Sequence, residues 1–335
     1  MSPLMENYSG IRIVTWTVPE ENAPVSPNRS RTVLTVERFL RAKGCSHHVL
    51  TLLKRTDHGI LLNGVWAYGN QPVNPGDKIT IRVEETVGSE QILPVPLPLS
   101  IVYEDEDVLV VDKPGDMPVH PSAGNYENTL ANAVMYYYSS KGIPFVFRCV
   151  TRLDRDTTGL VLLAKNRLSS AILSEHSAHR QIHREYLAIV EGELPVCGTI
   201  DAPIARQGES LLMRCVDLEN GERAVTHYQR LAVCRTQSAA DSCSLPDILS
   251  LASIRLETGR THQIRVHMKS IGHPLPGDFL YNPDSVCERA PRQMLHSHQI
   301  TFAHPISGKT LSFVSELPED MRNLLESCLI RPCTF

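Results

Sequence analysis

Leu93-Pro94-Val95-Pro96-Leu97-Pro98 sets a proline at every second position. Each ring fixes φ and removes a backbone donor, so no helix and no central strand runs through this stretch. With Gly88-Ser89 just ahead, residues 88–99 read as an extended connector. A chain of 335 residues has room for one large domain and a smaller one. The division is therefore a small unit over residues 1–87, a linker over 88–99 and a large unit over 100–325.

In the small unit, residues 11–18 alternate like an edge strand. Thr35 precedes a helical pattern carrying Val36, Phe39 and Leu40, with Gly44 as its stop. Ser46 opens a second short helix with Val49, Leu52 and Leu53, followed by Lys54 and Arg55. Asn63-Gly64 joins two short strands as a hairpin, and Pro75-Gly76-Asp77 turns into a further strand. In the large unit, residues 107–112 and 160–164 form continuous apolar runs and read as buried strands. Residues 130–138 read as a helix, and Asn166 caps another through Leu168, Ile172 and Leu173. Residues 185–190 alternate again, and 237–247 read as a polar surface insertion between strands. Strands at uneven spacing with few helices predict an α+β fold with a mixed, largely antiparallel sheet, not a doubly wound parallel one.

Composition narrows the function classes. A hydrophobic fraction of 42% with 21% charged residues suits a globular protein. The apolar runs are strand-sized, no membrane span is expected, and the N-terminus lacks the pattern of a secretory signal. A cytoplasmic location follows. Nine cysteines without a C-x-x-C pair argue against a zinc site or disulfide framework and predict free thiols. A net charge of −4 counts against a simple nucleic-acid binder. The distribution offsets this, because residues 148–184 hold seven Lys or Arg against three acids. Such a local basic surface attracts phosphates.

Two segments carry candidate chemistry. Arg152-Leu153-Asp154-Arg155-Asp156-Thr157-Thr158-Gly159 leads directly into the buried strand at 160–164, where a rigid sheet edge positions side chains. The plain alternative is a salt-bridged turn. Thr258-Gly259-Arg260-Thr261-His262-Gln263-Ile264-Arg265-Val266-His267-Met268 reads as a strand exit and short helix with Ile264, Met268 and Ile271 on one face. Arg260 and Arg265 are placed to face a phosphate or carboxylate; the alternative is a solvated basic face. His262 and His267 stand five apart, not the four of a helical zinc pair, so no metal is expected.

These two segments, together with Arg184-Glu185-Tyr186-Leu187 and the opening Val110-Val111-Asp112-Lys113-Pro114-Gly115, resemble in order and separation the motifs of the RluA family of pseudouridine synthases. The resemblance spans roughly residues 100–315. It implies an isomerase that converts uridine to pseudouridine in folded RNA without redox cofactor or metal. By motif, Asp154 is the catalytic carboxylate, Arg265 its basic partner and Tyr186 the active-site tyrosine that stacks on the displaced uracil. Arg152 fills the stack vacated by the flipped base, and Arg260 and His262 contact RNA at the rim. Residues 33–84 resemble a small RNA-binding domain first described in a small-subunit ribosomal protein; the plain alternative is a packing module. Ribosomal RNA is the expected substrate and transfer RNA the other, with the chain acting as a monomer. Thr151 stands where the family usually has His. Two rivals remain open: a non-catalytic RNA binder on the same scaffold, and a glycoside hydrolase using Asp154 with Asp156.

Overall fold

The structure is a computed structural model and describes residues 10–20, 33–85, 88–208, 210, 212–236 and 245–332. In the small unit, β1 (Ile11–Thr17), α1 (Val36–Ala42), α2 (His47–Arg55), β2 (Ile60–Leu62), β3 (Val65–Trp66) and β4 (Lys78–Glu84) follow in turn. The strands form one sheet in the order β1-β4-β2-β3, all antiparallel. Thr35 caps α1 by accepting from the Arg38 amide, and Ser46 caps α2 by accepting from the Val49 amide. Asn63 and Gly64 both take positive φ, 51° and 84°, as a two-residue hairpin turn requires. The buried stripe of α2 is Val49, Leu50 and Leu53; Leu52, expected in the core, is only half-buried.

The large unit continues with β5 (Ser100–Glu104), β6 (Val108–Lys113), α3 (Leu130–Ser139), β7 (Thr158–Ala164), α4 (Arg167–Ala178), β8 (His183–Glu191), β9 (Cys197–Asp201), β10 (Ile204–Arg206), β11 (Arg214–Val216), β12 (Val225–Thr236) and β13 (Ile248–Leu256). It ends with α5 (Gln263–Ser270), β14 (Leu295–Ala303), β15 (Thr310–Val314), α6 (Glu319–Glu326) and β16 (Cys328–Pro332). One large sheet runs β16-β12-β13-β8-β14-β7-β6-β5, with β15 on β14 and β9 on β12. Every pairing is antiparallel except β14 with β7. This is the expected α+β fold with a mixed, largely antiparallel sheet. β7 is buried at all seven positions, which its unbroken apolar sequence requires.

Two features add to the sequence reading and a third corrects it. The connector is extended, but it is not free: the Val95 amide donates to the Asn132 carbonyl and Ile92, Leu97 and Leu99 pack on the core around α3. Its alternating prolines leave alternate apolar side chains to bury. The small unit is also docked. Leu168 and Ile172 of α4 belong to its core, Arg12 donates to Asp107, and Glu85 pairs with Arg148 while accepting from the Arg167 amide. Finally, Cys287 is disulfide-bonded while six other cysteines are free, so free thiols throughout do not hold. Spacing along a chain carries no information on pairing between distant cysteines. Of the expected insertion at 237–247, residues 237–244 lie outside the described residues; β12 and β13 flank it.

Candidate active site

The loop ahead of β7 is held by its own main chain. The Asp154 carbonyl accepts from the Thr157 amide, the Arg155 carbonyl from Lys113 Nζ at 2.8 Å and the Met117 amide, and the Asp156 carbonyl from Arg292 Nη1 at 3.0 Å. Upstream, Thr151 Oγ1 accepts from the Leu162 amide at 3.0 Å. The loop ends at Gly159 because φ is +105° and a Cβ would run into the Ser297 carbonyl of the parallel neighbour β14. With its carbonyls fixed on both sides, the Asp154 side chain has a defined direction. It points into a pocket and is 26% exposed.

Asp156 has a different environment. It is buried, paired with Arg155 at 3.0 Å, and lines a separate cavity beside Pro114 and Asp320. The salt-bridged-turn reading therefore fits Asp156 and not Asp154. Two carboxylates opening on different cavities do not flank one glycosidic bond, and the hydrolase reading loses its pair.

On the facing side, α5 begins at His262, which takes φ of 58° and gives no side-chain cap. Gln263 secures the helix entrance instead. Its Oε1 accepts from Thr258 Oγ1 and the Arg260 amide, and its Nε2 donates to the Val225 carbonyl. Every residue from Gln263 to Met268 is buried, because α5 packs against β11 and β12. The solvated basic face is thus not found. Arg265, 3% exposed, donates from Nη1 to Asp154 Oδ2 at 3.0 Å and from Nε and Nη2 to Asp278, each at 2.7 Å. Burial works against its charge, but the Asp278 hydrogen bonds and the charges of Asp154 and Asp278 outweigh it and raise its pKa. Asp278 has no exposed surface and also accepts from the Leu280 and Tyr281 amides. Gly277 before it has φ of +75°, and a Cβ there would strike the Arg292 carbonyl.

All six expected site residues line one pocket of about 70 Å³: Arg152, Asp154, Tyr186, Arg260, His262 and Arg265. Tyr186 on β8 is nearly buried, and its hydroxyl accepts from Arg184 at 3.4 Å. His262 Nε2 lies 4.0 Å from Asp154, and its Nδ1 shares a 2.9 Å hydrogen bond with the Tyr281 hydroxyl. Burial lowers the His262 pKa, against the nearby Asp154 charge. Arg260 is turned outward to Glu222 and the Arg223 carbonyl. Arg152 makes no hydrogen bond or ion pair among the described residues. The pocket shares Arg152, Asp154, Arg184 and Arg260 with a groove of about 700 Å³, which Arg180 and His183 also line.

Lys113, Arg184, Asp278 and Tyr281 were not singled out from sequence. Lys113 and Arg184 entered only as members of matched motifs, and a lone acid in the Gly-Pro-rich stretch at 272–281 gives no local signal. His267 is structural, bonding Thr226 and the Ala202 carbonyl. Asp105, Asp107 and His304 lie close enough to share a cation, but hydrogen bonds fill their oxygens: Asp105 accepts from the Asp107 and Val108 amides, and Asp107 from Arg12, Asn166 and Ser169. That network belongs to the joint between the units.

This arrangement places one partly exposed carboxylate, oriented by a buried guanidinium, in a small pocket that it shares with an aromatic ring and that adjoins a basic groove. It suits chemistry on a single planar group brought out of an anionic polymer. Comparison with known proteins agrees. The family model described as RNA pseudouridylate synthase matches residues 107–270. The chain is 37% identical over 294 residues to "Uncharacterized RNA pseudouridine synthase YjbO" of Bacillus subtilis (strain 168), covering 88% of this chain and 99% of that protein. It is 43% identical over 249 residues to "Ribosomal large subunit pseudouridine synthase D" of Zymomonas mobilis, covering 71% and 75%. Among solved structures, human RNA pseudouridylate synthase domain containing 1 aligns with a TM-score of 0.57 at 26% identity over 71% of this chain and 91% of that one. The chain belongs to the RluA family of RNA pseudouridine synthases, isomerases acting on uridine in RNA.

Proposed function

We propose that Asp154 is the catalytic carboxylate, and that the chain modifies uridines in structured ribosomal RNA. One observation carries the first part: the Asp154 side chain stands where the small pocket opens into the basic groove, with Arg265 as its partner. In the reaction, the bond between uracil N1 and the ribose anomeric carbon breaks, the base turns, and carbon 5 bonds to the anomeric carbon. The proton leaves carbon 5 and N1 gains one, so the atoms balance without a co-reactant. Asp154 acts at the ribose, either attacking the anomeric carbon or removing a sugar proton. Arg265 orients it. Tyr186 stacks on the released uracil and assists loss of the carbon 5 proton.

A stacked uridine must first leave the helix, at a cost of a few kcal/mol. Arg152, exposed and without a hydrogen-bond or ion-pair partner among the described residues, is the residue assigned to the vacated stack. Arg260 and His262 contact the RNA around the pocket. The division into residues 1–87, 88–99 and 100–325 supplies a small RNA-binding domain, a linker and the catalytic domain. The basic helices α1 and α2 support that role for the first. Action as a monomer is part of the same proposal. The relatives named as ribosomal large subunit synthases support ribosomal RNA as substrate. A ribosomal RNA substrate supports a cytoplasmic location; separately, no helix of the described residues is long and apolar enough to cross a membrane.

The test is chemical mapping of pseudouridines in total RNA from cells with and without this protein. The reading expects one or a few ribosomal RNA positions to lose modification. Loss confined to transfer RNA contradicts the substrate, and no loss anywhere contradicts the activity.

A further inference from the structure

The small unit carries an aromatic surface that the fold leaves uncovered. Trp66 is 48% and Tyr68 70% exposed, large apolar groups set toward solvent on and just after the short strand β3. Their rings are close to parallel, 17° apart, with centroids separated by 6.5 Å. The rings thus present a pair of adjacent, nearly parallel faces on which a planar group can stack. They also wall a cavity of about 350 Å³ whose floor is Leu53 and Ile60.

The charge around it selects the occupant. At the cavity rim, Glu37 is bound by Lys54 at 2.7 Å and by Arg41 at 2.9 Å, which leaves one net positive charge. Over residues 36–55 the helix pair holds five Lys or Arg against that single acid. An apolar slot framed by aromatic rings beside a basic surface fits an unpaired base on an anionic strand. A paired base has its faces already covered by its neighbours and cannot enter.

We propose that the cavity between Trp66, Tyr68 and α2 binds an unpaired nucleobase of the RNA, as an anchor separate from the catalytic pocket. This rests on the reading that the chain acts on RNA. The anchor holds a single-stranded loop or bulge, and so favours substrates that present one at a distance from the target uridine.

The chain has two tryptophans, and Trp16→Phe leaves Trp66 as the sole tryptophan emitter. The full-length variant is titrated with a mixed-sequence single-stranded oligoribonucleotide and with the perfect duplex of the same sequence. The single strand quenches Trp66 emission and the duplex does not. Tyr68→Ala weakens single-strand affinity roughly 5- to 150-fold, the span expected for loss of one stacking aromatic, and Tyr68→Phe keeps it within about twofold. If Trp16→Phe does not fold, the difference in emission between wild type and Trp66→Phe supplies the same readout. Emission unchanged by the single strand, or quenched equally by the duplex, overturns the proposal and leaves the surface to a protein partner. Pseudouridine formation is measured on the same preparations. Product with a silent Trp66 sinks the anchor alone, and quenching without product from any RNA sinks the enzymatic reading alone.

Discussion

Asp278 accepts two 2.7 Å hydrogen bonds from Arg265, one from Nε and one from Nη2, and has no exposed surface. Only Nη1 of the same guanidinium is left to reach Asp154. The direction of the Arg265–Asp154 pair is therefore set from behind, by a carboxylate that does not line the pocket.

Asp278→Asn keeps the size and removes the charge. Displacement of a positioned group by about 1 Å can cost roughly 100-fold in rate, and a loss of that order in kcat is expected with RNA affinity nearly unchanged. Asp278→Ala leaves Arg265 buried with half its partners and should cost about 3–5 kcal/mol of stability. Single-turnover kinetics with an RNA-binding titration check the first, and urea unfolding the second. Equal losses in kcat and RNA affinity for Asp278→Asn count against a positioning role.

Burial pushes the Lys113 ammonium down to about 7, against the opposing charge of Asp156. Its ordinary value is 10.5, so between pH 7 and 10.5 the unfolded chain holds more protons than the folded one. Stability contributed by this site rises with pH across that window and is flat outside it. Relative to Lys113→Met, the wild type should gain stability from pH 7 to pH 10. Denaturant midpoints of both proteins at several pH values check this; a difference independent of pH contradicts it. Lys113→Met also removes one of the two donors to the Arg155 carbonyl, and lower activity is expected at every pH.

The difference between what sequence showed and what it hid follows the range of the interactions. β7 was legible because the continuous apolar run at 160–164 is a local fact. The same holds for the caps Thr35, Ser46 and Asn166, each read from residues within one turn. The six pocket residues came from motif resemblance, since nothing in local pattern brings residues 154 and 265 together. Arg265 shows the limit. Its position off the apolar stripe of α5 left both a carboxylate-facing role and a solvated face open, and the choice is made by β11, β12 and the turn holding Asp278. Asp278 and Tyr281 act only through contacts across the fold, and no spacing announces them.

Thr151 replaces the histidine usual at that position, and its hydroxyl accepts from the buried Leu162 amide. Thr151→Val is near in shape and leaves that donor without its side-chain acceptor. A stability loss of about 1–3 kcal/mol is expected, because a buried unpaired donor loses its full solvation. Activity should fall only as far as the Asp154 loop loosens. Thermal and urea unfolding check the value. A change near zero means the amide finds another acceptor.

The central claim concerns one oxygen-bearing side chain, and Asp154→Asn addresses it with the shape retained. Purified wild type and variant are incubated with the same ribosomal RNA fragment, and pseudouridine is read by chemical mapping at the target position while RNA affinity is measured in parallel. The account predicts product with wild type, none above background with the variant, and affinities within about threefold, since the removed charge repels phosphates and adds nothing to binding. Product formed by Asp154→Asn at a rate near wild type would contradict it.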